Sequence, residues 1–369
     1  MFRLWLCSQL LTAVQRQPNE TGSHWEALAR VLELLWRTGQ LDQADRFLKQ
    51  AEARNPHATA SPGYNYCSAL AEMYAGDPNA SLQKFNRARR DPTWGEKALF
   101  NMIEICLNPD NEIIGGQVLG EEAIDNTTSG DKQDNQEMAV ATAQRFFEEL
   151  ISRYQIDYKT QLVENFILLA TKNRTKIEQA LSAFSEMVEL EEEDNQEAIL
   201  NVGAILGIAR AHLFLKQSQK AKTQLKRVID HAWNFEDAEY LEQCWLLLAD
   251  IYINQGDSVI GNQSKFEVAE EILKKCLRYN MSCLRAFEFL GFIKEKEQKW
   301  SEAAENYEHA WSLSNRRNPV IGYKVAFNHM KSKRFVDAIN VCHRVLALYP
   351  DYPKIRKEIL DKARANIRI

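Results

Sequence analysis

The chain has 369 residues with only 15 Gly and 9 Pro, too few turn formers for a sandwich or barrel, which must turn about every 8–12 residues. With 46 basic against 51 acidic residues its formal charge is −5, the opposite of the basic footprint that nucleic-acid binding leaves. There is no apolar run of about 18 residues, which excludes a membrane-spanning helix, and the seven scattered Cys form a reduced, intracellular pattern, not a disulfide framework.

Residues 1–18 read as a single helix closed by Pro18, with Leu6, Leu10 and Ala13 spaced as in the second helix of a two-helix unit. Ser8 and Gln9 interrupt the opening apolar run and argue against a secretory leader. A unit without its first helix would leave an apolar face bare, so this start is expected to belong to a longer or shortened array. Units over 19–107 begin near Trp25, Pro62 and Gly95. In the first, Leu28, Val31, Leu32 and Leu35 make a stripe at helical spacing. Gly39 then stops that helix, and a second helix around Ala44 and Ala51 runs to Pro56.

After Asn108 the periodicity lapses. The segment 108–136, with Gly115-Gly116 and Thr127-Thr128-Ser129-Gly130, is expected to be a mobile insertion. Units resume near Gln161, Val202, Glu242, Leu284 and Pro319 and fill 137–351. Within them the acidic run Glu189 to Asp194 reads as a solvated turn, and Asp257 to Ser264 as a lengthened one. Gly203 and Gly207 read as helix-packing contacts. Over 352–369 a capping helix is predicted, with Ile355, Ile359 and Leu360 inward and Lys354, Arg356, Lys357, Lys362 and Arg364 outward.

The units share a motif. Trp245, Leu248, Ala249 and Tyr252 stand at the spacing W-x2-L-G-x2-Y, and Phe287, Leu290 and Gly291 repeat its first three positions. Downstream, Ala338 follows Ala303 by 35 residues. This resembles the tetratricopeptide repeat, a pair of antiparallel helices about 34 residues long. The resemblance implies an all-α solenoid, a right-handed superhelix of antiparallel helix pairs with a C-terminal capping helix.

Chemistry needs converged groups, and the sequence offers none. The seven His include no H-x3-H pair, and Cys276 and Cys283 stand too far apart for a zinc knuckle. No glycine-rich phosphate loop occurs. Catalytic, cofactor and metal sites are therefore not expected. The first helices of this repeat family line the concave face. There the candidate partner-binding residues are Trp36, Tyr66, Leu70, Leu246, Phe292, Tyr323 and Phe327, an aromatic-rich set of the kind that anchors interfaces. The same positions lack the Lys and Asn pairs with which some of these repeats clamp chaperone carboxylates.

Two strings narrow the resemblance: HWEALARVLELLWRTGQLDQADRFLKQAE and CLRAFEFLGFIKEKEQKWSEAAENYEHAW. Both look like the C-terminal part of the tetratricopeptide repeat protein 21 family. That resemblance implies a non-enzymatic scaffold subunit of intraflagellar transport complex A, active in retrograde transport and cargo entry in cilia. Its implied partners are other complex A subunits and ciliary cargo, with no nucleic acid and no membrane insertion. Its implied location is the cytoplasm and the cilium. The alternative is an adaptor that reads cargo or regulator peptides through the concave face.

Overall fold

The computed structural model describes residues 24–54, 57–108, 129–194, 201–257, 263–352 and 354–367. Among these, 17 helices occur and no strand. They are α1 His24–Arg37, α2 Ala44–Arg54, α3 Pro62–Tyr74, α4 Pro78–Ala88, α5 Gly95–Leu107, α6 Ser129–Arg153, α7 Tyr158–Ala170, α8 Arg174–Asp194 and α9 Val202–Phe214. Then come α10 Ser218–Arg227, α11 Ala238–Asp257, α12 Gln263–Tyr279, α13 Leu284–Lys296, α14 Trp300–Leu313, α15 Pro319–Lys331, α16 Phe335–Leu348 and, after a π-helical turn over Arg356–Leu360, α17 Asp361–Ile367. Odd-numbered helices up to α15 are the first (A) members of helix pairs and the even-numbered ones are the second (B) members. The protein is an all-α helix-pair solenoid.

A recurrent turn separates A from B. At the end of α1 the Gln40 amide donates to the Leu35 carbonyl (2.8 Å) and the Gly39 amide to Trp36 (3.0 Å). The same double bond closes α9 (Gln217 to His212, Lys216 to Leu213), α13 (Lys299 to Lys294, Gln298 to Glu295) and α15 (Arg334 to His329, Lys333 to Met330). Such a Schellman turn needs one left-handed residue. Gly39 and Gly76 supply it at φ 73° and 81°, whereas Lys216, Gln298 and Lys333 adopt 58°, 60° and 64°.

Small residues set the distance between helices. A Cβ on Gly291 would stand 2.9 Å from the Tyr307 ring, and one on Gly207 would overlap the ring of Phe184. Ala44, Ala221, Ala269, Ala303 and Ala338 are all buried. The described residues form two compact units, one up to Cys244 and one from Trp245 onward. In the second, α17 and the turn before it bury Ile355, Ile359, Leu360 and Ala363 against a cluster that includes Trp311, Ile321 and Val345. Lys354, Arg356, Lys357, Lys362 and Arg364 are exposed.

One reading is corrected: the run Glu189 to Asp194 is the last part of α8, not a turn, because Glu is a good helix former. Within the expected insertion α6 begins at Ser129, so residues 129–136 are helical. That stretch is polar and carries no apolar stripe from which a helix could be read. The proposed lone helix of 1–18 and the remaining insertion, 109–128, lie outside the described residues.

Candidate protein-binding surface

Polar side chains on consecutive A helices meet at about one repeat's separation in sequence. Asn101 Nδ2 donates to Tyr66 Oη (3.1 Å) and Asn328 Nδ2 to Glu295 Oε2 (3.1 Å). The Arg210 guanidinium donates to the Gln243 amide oxygen. These partners stand 35, 33 and 33 residues apart. The repeat period is thus written into the hydrogen bonds between A helices. The Tyr323 hydroxyl donates in the same way to Glu358 Oε2 (2.6 Å), 35 residues on.

The first unit has one link of another kind. Arg37, on its first A helix, donates to Glu242 on its last, 205 residues later. Both side chains are almost fully buried. Arg37 Nε also donates to Glu33 Oε1 (3.1 Å), and the guanidinium lies over the rings of Trp36 (5.4 Å) and Trp233 (5.7 Å). Arg30 reaches over Phe235 from the same helix (5.7 Å). Burial works against the Arg37 charge, but Glu242 and Glu33 more than restore it. Nearby, desolvation of its crowded site and then the neighbouring Glu239 push the Glu104 carboxyl well above the usual range, with Arg210 pulling it back. The contacts that link this unit's helices are therefore charged and hydrogen-bonded as well as apolar.

The expected partner-binding residues separate into two groups. Tyr66, Leu70 and Leu246 are 8%, 6% and 7% exposed. Tyr66 packs between Phe85 and Trp94 (5.5 and 5.0 Å), and Leu70 belongs to the same cluster. These three side chains hold the repeats together, and helical periodicity alone does not distinguish that role from facing a groove. Trp36, Phe292, Tyr323 and Phe327 are half-buried. Trp36 stacks on Tyr74 (4.6 Å), and Lys296 covers the Phe292 ring (5.0 Å). In the second unit Tyr323 stacks on Phe327 (6.4 Å), Trp300 meets Phe327 edge-on (6.4 Å) and Tyr352 packs on Tyr323 (6.3 Å). Lys331 lies over both Phe327 (5.3 Å) and Trp300 (5.8 Å). This aromatic and cationic cluster is a partly open surface on which an aromatic or acidic side chain could rest. Sequence reasoning missed Arg37, Glu104, Arg210 and Glu242. Polar residues recurring 33–35 apart were the available signal for Arg210, and nothing local marks the Arg37 pair.

The nucleophiles are quiet. Cys67, Cys106, Cys244, Cys276, Cys283 and Cys342 are outside any disulfide and buried. Burial pushes the Cys106 thiol to about 11 and those of Cys244 and Cys342 to about 12, so little thiolate forms at neutral pH. Among the described residues no cluster of three or more His, Cys, Asp or Glu could hold a metal ion, and no helix is long and apolar enough to cross a membrane.

Comparison with known proteins agrees with this architecture. The family model described as the tetratricopeptide repeat protein 21 C-terminal ARM domain matches residues 142–364, and the TT21 fifth ARM repeats domain matches residues 5–107. Tetratricopeptide repeat protein 21B of Homo sapiens is 48% identical over 342 residues, 92% of this chain and 25% of that protein. Tetratricopeptide repeat protein 21A of Homo sapiens is 40% identical over the same shares. The Caenorhabditis elegans homolog is 42% identical over 354 residues, 95% of this chain and 25% of its own length. The chain thus spans about a quarter of the relatives it matches.

Proposed function

This chain belongs to the tetratricopeptide repeat protein 21 family, and from that premise we propose that it is a non-catalytic scaffold within intraflagellar transport complex A. One observation carries the scaffold reading. Where polar side chains converge, they tie helix to helix, as in Arg37 with Glu242, Arg210 with Gln243 and Asn328 with Glu295. Groups that an enzyme would aim at a substrate are engaged here in holding the solenoid, and the thiols are buried. The ciliary part of the proposal rests on the family resemblance read from the sequence. Its partners are other complex A subunits and ciliary cargo, and its work is retrograde transport and cargo entry, in the cytoplasm and the cilium.

The test is capture of the tagged chain from ciliated cells, with mass spectrometry of what co-purifies. Recovery of complex A subunits supports an assembly surface on this segment, and their absence defeats it. A second reading, a peptide-reading adaptor, is favoured by the half-buried Tyr323 and Phe327 beside Trp300 and Lys331. Phe327→Ala should then abolish saturable binding of cargo peptides while leaving recovery of the complex unchanged. If peptide binding survives that change, the aromatic cluster is not the reading surface.

A further inference from the structure

We propose that the end of the second unit, built from the last turns of α16 and the capping segment, is a docking surface for an acidic protein segment that also carries apolar side chains. The proposal rests on local geometry and charge and stands independently of the ciliary reading. Residues 343–364 hold six Lys and Arg against three Asp and Glu, in a chain whose net charge is −5. Arg344, Lys354, Arg356, Lys357, Lys362 and Arg364 are all exposed.

Two contacts tie the capping segment's cations back toward α16. The Arg364 guanidinium lies 3.0 Å from the His343 ring nitrogen Nε2, joining α17 to α16. Arg356 Nη2 donates to the Pro350 carbonyl (3.5 Å), and Leu348 and Tyr349 immediately precede Pro350 in the chain. Those two side chains are 57% and 41% exposed and form an apolar step among the charges. Of the three acids, Glu358 accepts from the Tyr323 hydroxyl and keeps its charge, so the six cations exceed the three acids by three.

The chemistry favours a protein segment over a lipid bilayer. A basic helix binds a bilayer by sinking its apolar face among the acyl chains. Here that face (Ile355, Ile359, Leu360 and Ala363) is buried in the solenoid. What remains outside is a cationic surface with an apolar foothold two residues wide, suited to an acidic peptide with an occasional Leu or Phe.

The experiment is fluorescence anisotropy of the whole chain with a labelled peptide of repeating Glu-Glu-Leu-Glu-Phe. A Gln-for-Glu version serves as control, and phosphatidylserine vesicles serve as the lipid probe. The acidic peptide should bind, and binding should weaken steeply with salt because the contacts are exposed. Joint reversal by Lys354→Glu, Arg356→Glu and Lys357→Glu should weaken it by about tenfold, as loss of several rim ion pairs would, with helicity and melting temperature unchanged. If that variant misfolds, Lys362→Glu with Arg364→Glu replaces it, with the same expectation. Equal binding of the Gln peptide, binding indifferent to either reversal, or binding to vesicles without binding to the peptide would each overturn the proposal.

Discussion

Asp250 shows how strongly one position can be coupled to pH. It lies on α11 with 1% of its surface exposed, and its Oδ1 has no hydrogen-bond partner. Burial pushes its carboxyl up to about 7, with Asn254 and Arg285 pulling it back. An unfolded Asp titrates near ~3.9. Between those values the folded chain holds a proton that the unfolded chain has released, so stability falls as pH rises from about 4 to 7 and is flat above. The full shift corresponds to on the order of 2–4 kcal/mol. Asp250→Asn has nothing to ionise. It should raise stability at pH 8 and flatten the slope between pH 4 and 7, as read by urea unfolding at both ends of the range. An unchanged slope would mean that the carboxyl finds water in the folded state.

The turns and the small residues govern the elements. Lys216, Gln298 and Lys333 hold the left-handed position that Gly39 and Gly76 fill elsewhere. A left-handed L-residue is strained by roughly 1–2 kcal/mol, while Gly costs about 0.5–1 kcal/mol through unfolded-state freedom. Lys216→Gly, Gln298→Gly and Lys333→Gly should therefore each stabilise by about 0.5–1 kcal/mol in chemical denaturation. Gly207→Ala tests the opposite balance. Ala gains about 1 kcal/mol of helix propensity, but its Cβ would overlap the ring of Phe184, which is fully buried. Overpacking of about 1–3 kcal/mol should win, and the melting temperature should fall. These elements were readable because apolar stripes mark each A helix: the starts expected near Trp25, Pro62, Gly95, Val202, Leu284 and Pro319 fall within a residue of observed helix starts. The acidic end of α8 and the polar start of α6 carry no stripe, so periodicity could not show them.

At the scale of the molecule, the fold was legible and the polar links between helices were not. An apolar stripe tells which side of a helix avoids water, but not whether that side meets the next repeat or a groove, which is why Tyr66 and Leu70 proved to be packing residues. Nor can any local pattern reveal that Arg37 meets a residue 205 positions away. That contact changes how the first unit should come apart. In an open array each repeat touches only its neighbours, so the ends fray one at a time. Here α1 cannot detach without giving up the buried ion pair between Arg37 and Glu242. Arg37→Ala should cost about 3–5 kcal/mol for that reason. Amide hydrogen exchange gives the sharper readout: with Arg37 in place, α1 and α11 should open with the same free energy, and without it α1 should exchange far earlier. Equally fast exchange of α1 in both proteins would show that the ion pair does not bind the two ends. On this view α1 and the start of α11 melt together, as a loop closed by one ion pair.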